Sequence, residues 1–205
     1  MRKCLRSIVF AVLFGGFALA TEITQLEKAA TQGDDTAQYS LGVLYATGDG
    51  VRQDASTAAK WFQKAAEQGH ASAQASLGSL YASGDGVARN TAVAEKWFGK
   101  AAEQGNEWAQ MTLGAMYLVG DGVPKDAATA AKWFRKAAEQ GNSSAQLSLA
   151  GSYAVGKGVP KDEIEGLAWC NVAAATDDSR VADKAVKLRG MIEARLGLQA
   201  TLVAQ

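Results

Sequence analysis

Few side chains in this sequence could do chemistry, and their spacing restricts what that chemistry is. His70 is the single histidine. It falls in the turn-like stretch Gln68-Gly69-His70, so neither a two-histidine zinc helix nor a Ser-His-Asp set with a choice of base can be assembled. Cys170 stands in a column otherwise filled by Phe62, Phe98 and Phe134, which marks it as a small buried hydrophobe rather than a nucleophile. Gly48-Asp49-Gly50 and its copies lack the acidic ligands at alternating loop positions that calcium requires, and read as chain reversals. No Gly-Lys-Ser/Thr loop is present to cradle phosphate, and no Ser-x-x-Lys occurs. Thr57-Ala58-Ala59-Lys60 and Thr129-Ala130-Ala131-Lys132 come nearest, and both recur as ordinary helix surface. The residues therefore point to no enzyme, no cofactor and no metal.

What organises the chain is repetition. The stretch Ala37 to Val51 returns as Ala73 to Val87, as Ala109 to Val123, and in degraded form as Ala145 to Val159. Trp61, Trp97, Trp133 and Trp169 share the same offset of 36 residues. A fixed period of roughly 20–50 residues marks a stacked repeat array. Full repeats are expected at 34–69, 70–105, 106–141 and 142–177, after a half-repeat helix over 21–33.

Each repeat should hold two helices. In the first, Ala37, Leu41, Leu44, Tyr45 and Gly48 form one stripe of a 3.6-residue period. Gly48, Gly84, Gly120 and Gly156 are placed to end it in the left-handed conformation. Asp54, Asn90, Asp126 and Asp162 are placed to cap the second helix, which carries Ala58, Trp61, Phe62, Ala65 and Ala66 on its apolar side. The recurring tryptophans read as core. Short connections force antiparallel helix pairs, so the fold class is all-α. The fourth repeat drifts, and 178–205 follows it as a capping helix and tail, with Val181, Ala185, Leu188 and Ile192 on one stripe and Gly197 interrupting.

The 21 cations and 21 acids of the full chain balance. Residues 1–20 begin with Arg2, Lys3 and Arg6, continue through the uncharged run Ile8 to Leu19, and end on Ala18-Leu19-Ala20. That is the form of a secretory signal peptide, cut after Ala20; the run is shorter than the roughly 20 residues a spanning helix needs. The expected location is periplasmic or secreted, without stable membrane insertion after cleavage. Removing Arg2, Lys3 and Arg6 leaves 18 cations against 21 acids, which argues against nucleic-acid binding. It also leaves Cys170 alone, so no intrachain disulfide is available.

The pattern Ala-x-x-x-Leu-Gly-x-x-Tyr-x-x-Gly-x-Gly-Val-x-x-Asp, followed by Ala-x-x-Trp-Phe-x-Lys-Ala-Ala-Glu-Gln-Gly, resembles the Sel1-like repeat, a cousin of the tetratricopeptide repeat. The resemblance covers residues 22–177, and Ala168 to Ala175 is similar to the last repeat of many bacterial members. It implies a right-handed α-solenoid and an exported adaptor or scaffold that holds a protein or peptide partner. A disulfide-rich branch of the family has been associated with penicillin binding and β-lactam hydrolysis, but its cysteine pair in each repeat is missing here. Peptidoglycan-related binding, with or without weak hydrolysis, is the alternative reading.

Repeats also control one another: positions the fold dictates recur, and the rest drift. On the first helix the drifting columns are Thr36/Ser72/Trp108/Ser144, Tyr39/Ala75/Met111/Leu147, Val43/Ser79/Ala115/Gly151 and Ala46/Ala82/Leu118/Ala154. They share a face, which in a solenoid lines the concave groove. Tyr39, Val43, Ser79, Trp108, Met111, Ala115, Leu118 and Leu147 are the candidate partner-binding residues. Trp108, Met111 and Leu118 place large apolar groups where other repeats mostly hold small ones. The competing structural role for Trp108 is packing on an adjacent helix.

Overall fold

The computed structural model describes residues 22–203, with side chains as far as Gly197; the expected signal peptide lies outside the described residues. The chain forms two compact units, Met1–Asn90 and Thr91–Gln205. In the first unit the described helices are α1 (22–31), α2 (Asp35–Thr47), α3 (Ala55–Glu67) and α4 (Ala71–Ser83). The second contains α5 (Thr91–Glu103), α6 (Glu107–Val119), α7 (Ala127–Glu139), α8 (Ser143–Val155), α9 (Glu163–Ala174) and α10 (Ser179–Val203).

The sequence places these helices through their ends. Asp54, Asp126 and Asp162 lie in extended backbone, and one carboxylate oxygen of each accepts two N–H groups of the following turn. That satisfies donors a helix start would otherwise leave open. The first helices are capped in the same way by Asp34, His70, Asn106 and Asn142, which accept from Ala37, Ala73, Ala109 and Ala145. His70 is thus a helix cap rather than a free turn residue: its Nδ1 accepts the Ala73 N–H at 3.2 Å. At the other end Gly48, Gly84, Gly120 and Gly156 adopt φ between 72° and 84°, and the Gly48 N–H closes on the Leu44 carbonyl at 2.8 Å. Each first helix stops there because only glycine takes that conformation without a Cβ penalty.

Pairing is set by small residues facing large ones. A Cβ on Gly42 would lie 2.5 Å from the Phe62 ring, and one on Gly114 would lie 2.6 Å from the Phe134 ring. The phenyl groups occupy space that alanine would take, so α2 packs tightly on α3 and α6 on α7. Leu41, Leu77, Leu113, Leu149, Phe98 and Phe134 are fully buried among alanines. Burying a Leu or Phe side chain contributes about 1.5–3 kcal/mol.

Between successive repeats a second glycine matters for a different reason. Gly86 abuts the backbone of Ala55, Gly122 meets Thr91, and Gly158 meets the Ala127 carbonyl, each closer than a Cβ could tolerate. The turn of one repeat therefore rests on the start of the second helix of the repeat before it.

A polar column runs through the same joints. Gln38, Gln74, Gln110 and Gln146 are buried, and their amides donate to the carbonyls of Ala30, Ala66, Ala102 and Ala138 at 3.0–3.2 Å. Gln68 and Gln140 in turn donate to Gln38 and Gln110, both at 2.8 Å. Each glutamine satisfies a carbonyl at the C-terminal end of the preceding helix, where intrahelical donors run out.

In α10, Val181, Ala185 and Ile192 of the expected stripe are buried, Leu188 is half-buried, and Ile192 joins Ala150, Ala154 and Cys170 in one cluster. Two expectations need correction. The helix does not break at Gly197 but continues to Val203. A single helical glycine costs only about 1 kcal/mol relative to alanine, which does not end a helix by itself. The recurring tryptophans are half-buried rather than interior. Trp61 packs on Ala30, Ala37 and Leu41, while the Lys64 ammonium lies 4.1 Å from its ring centroid. Lys100 over Trp97 and Lys136 over Trp133 repeat the contact at 4.3 Å. The aliphatic lysine stem covers the ring while the ammonium stays wet.

Candidate interaction face

The eight residues singled out from drifting columns divide between the two units. Tyr39, Val43 and Ser79 lie in the first, all half-buried. Tyr39 is committed to packing: its ring stacks on His70 with centroids 4.7 Å apart and planes 22° apart, and it leans on Phe62 at 5.7 Å. The hydrogen bond to Ala73 and the Tyr39 ring together fix the imidazole, so this pair serves the joint between the first two repeats.

The second unit holds Trp108, Met111, Ala115 and Leu118 on α6, and Leu147 on α8. Asn106 anchors the start of α6 through a 2.9 Å bond to the Ala109 N–H. Farther along, the Tyr117 hydroxyl donates to Glu95 at 3.1 Å. Burial, and then the adjacent Glu95 carboxylate, push the Tyr117 phenol above its usual value. These contacts hold α6 against α5 and set the direction of its outer residues.

Trp108 packs on the adjacent helix and still presents open surface. Its ring stands edge-on to Phe98, centroids 5.4 Å apart and planes at 70°, an arrangement the ring quadrupoles favour. It nevertheless remains 46% exposed. Met111 and Leu118 are partly buried against the cluster of Phe134, Ala138, Ala145 and Leu149. Ala115 and Leu147 are half-buried. The columns are not uniform across repeats, since Ala75 and Ala154 are fully inside. One residue outside those columns adds to the α6 surface: Val119 is 67% exposed where the first two repeats have Thr47 and Ser83. Its column drifts from hydroxyl to apolar, a signal available in the sequence.

The face carries little charge. Glu107 is the only ionisable side chain apart from Tyr117 on α6, and α8 has none besides Tyr153. Cations gather instead on the second helices, as Lys96 and Lys100 on α5 and Lys132, Arg135 and Lys136 on α7. Open recesses of about 400 and 440 Å³ lie along α3 and α5, around the Trp61–Lys64 and Trp97–Lys100 pairs rather than on the candidate face. Cys170 is buried and unbridged, and burial pushes its thiol above the ordinary value, away from thiolate chemistry. Among the described residues no cluster of His, Cys, Asp or Glu is arranged to hold a metal, and no helix is long and apolar enough to cross a membrane.

Successive helix pairs joined by Gly-x-Gly turns and capped at both ends define a solenoid of the tetratricopeptide-like class. The Sel1 repeat model matches residues 35–70, 71–106, 109–142 and 143–178, and the chain belongs to the Sel1 repeat family. Two solved structures are similar in sequence and fold. One is c5321, a protective antigen of uropathogenic Escherichia coli: 37% identity, TM-score 0.76, covering 85% of this chain and 41% of that one. The other is a Sel1 repeat protein of Oxalobacter formigenes: 39% identity, TM-score 0.73, covering 81% of this chain and 48% of that one. The chain thus spans less than half the length of either. The cysteine-rich protein B of Helicobacter pylori shares the fold at 23% identity and TM-score 0.51. A comparison with curated proteins returns no match. Sel1 repeats generally serve as protein-interaction scaffolds, and the family is generally non-enzymatic.

Proposed function

We propose that this chain is an exported, non-enzymatic adaptor that holds a protein or peptide partner on the α6 face, with Trp108 as its anchor. The carrying observation is the 46% exposure of Trp108 on a helix whose counterparts present Thr36, Ser72 and Ser144. A tryptophan already braced on one side by Phe98 loses little freedom on binding, so its open surface converts to affinity efficiently. Met111, Leu118 and Val119 extend the apolar strip, and the scarcity of charge means few ions must be desolvated. The matching partner is a short apolar or amphipathic segment laid against the helix. Export rests on the form of residues 1–20, with cleavage after Ala20 giving a periplasmic or secreted protein.

Selection of displayed peptides on the immobilised protein tests the binding reading. Peptides with an aromatic or large aliphatic anchor should emerge, and Trp108→Ala should weaken them by about tenfold or more, as for a hot-spot residue. Selected peptides that bind Trp108→Ala and the unmodified chain equally would remove Trp108 from the site. Export has its own check: the intact mass of the protein recovered from a periplasmic fraction should correspond to a chain beginning at Thr21.

A further inference from the structure

The outward side of α10 has a composition that its role as a cap does not explain. Val181, Ala185 and Ile192 face inward and are buried. On an exposed side flanking that buried stripe, Arg180, Lys184, Lys187 and Met191 follow one another at i, i+4, i+7 and i+11, a single line along the helix, and all four are exposed. Met191, within that line, is 52% exposed, and Val186, more than a quarter-turn round the helix from it, is 47% exposed. The three cations suit a cap that meets water, whereas exposed Met191 and Val186 depart from the polar outer face such a cap would carry. Arg180 and Lys184 also stand in the first turns of α10, where cations oppose the helix dipole. Asp178 lies 3.7 Å from Arg180, and Asp183 shares the exposed side. No ion pair is formed by Lys184 or Lys187 among the described residues. The helix as a whole carries five cations against two acids, in a chain whose totals balance.

We propose that this side of α10 rests on an anionic lipid surface. A row of cations flanked by exposed aliphatic and thioether side chains is the arrangement by which a helix lies in the headgroup region, its apolar groups dipping in and its ammonium groups meeting phosphates. Gly190 and Gly197 have open space where a Cβ would be, so the helix backbone can approach a flat surface closely. An acidic protein partner fits less well: α10 has no aromatic residue to serve as an anchor. The association is peripheral, since α10 stays packed on α9 and α8 through its other side.

The test uses the full chain with vesicles of phosphatidylcholine alone or with about one-third phosphatidylglycerol. Sedimentation should show at least about fivefold more protein bound to the anionic vesicles, and the excess should fall away as salt rises from about 50 to 300 mM. Lys184→Glu with Lys187→Glu should abolish that excess while leaving thermal unfolding unchanged, because both residues are exposed and unpaired. Arg2, Lys3 and Arg6 are common to both chains, so the difference between them isolates α10. Hydrogen exchange on bound protein should slow over residues 180–194. Equal binding by the charge-reversed chain, or protection elsewhere only, overturns the proposal. So does binding to an acidic protein with no preference between the two vesicle types.

Discussion

At the scale of single residues, the caps are the features most directly encoded and most readily tested. Asn106 holds the first turn of α6, so Asn106→Ala should destabilise the protein by about 0.5–2 kcal/mol, whereas Asn106→Asp should restore most of that loss. A denaturant titration of the three proteins checks it, and an Asp variant no better than Ala would remove the capping bond from the account. Asp54 and Asp126 carry a pH signature. The Thr57 and Thr129 hydroxyls, aided by backbone N–H groups, hold their carboxyls below the ordinary 3.8. A lowered folded-state value means the unfolded chain binds protons more readily, so the stability these groups supply is present above the ordinary value and lost as pH falls through the lowered one. The Asp54→Asn, Asp126→Asn chain should therefore melt below the unmodified protein at neutral pH, and the gap should close in acid. A gap unchanged down to about pH 2.5 would count against the assignment. His70 shows where reading by type alone falls short. Histidine is not a usual capping residue and was read only as part of a turn, yet its column, Asp34/His70/Asn106/Asn142, is a column of caps.

At the scale of helices, the period made most of the fold legible. The stop at Gly48 and the start after Asp54 followed from residue types whose backbone preferences are strong and which returned every 36 residues. The glutamine column was equally periodic but was not legible as buried, because polarity argues for the surface until its carbonyl partner is located. Gln110→Leu should leave the Ala102 carbonyl without its donor and cost about 1–3 kcal/mol, more than Gln63→Leu on the open side of α3. Gly42→Ala, which drives a methyl into Phe62, should cost about 1–3 kcal/mol despite improving helix propensity. Calorimetry of both would expose an error: a more stable Gly42→Ala chain would mean that α2 and α3 are less closely packed than described. The candidate face was legible only in part. Drift located Trp108, but drift cannot separate a side chain released by the fold from one recruited to a local contact, as Tyr39 is by His70. Gly197 was misjudged because a glycine near a helix end looks the same whether or not the chain beyond it stays helical.

At the scale of the whole molecule, α10 covers apolar surface of the fourth repeat. Cys170 sits under α10 with Ala150, Ala154 and Ile192, so its thiol reports on whether that helix is in place. In a chain with Cys4→Ser, Cys170 should be inert to an exposed-thiol reagent, and Ile192→Asp should make it react at least about tenfold faster. Equal rates would show that α10 does not shield it. The division between Asn90 and Thr91 had no counterpart in the sequence, since the repeat pattern runs through it without interruption. The glutamine column has one more consequence. Its donors reach back into the preceding repeat, from Gln74 to Ala66 and from Gln110 to Ala102, so each repeat offers the next the same fitting it received. A gene encoding such a chain can gain or lose a 36-residue module in register without creating a new kind of joint. Overall length is then free to vary by whole modules, each new joint closed by the same buried amide.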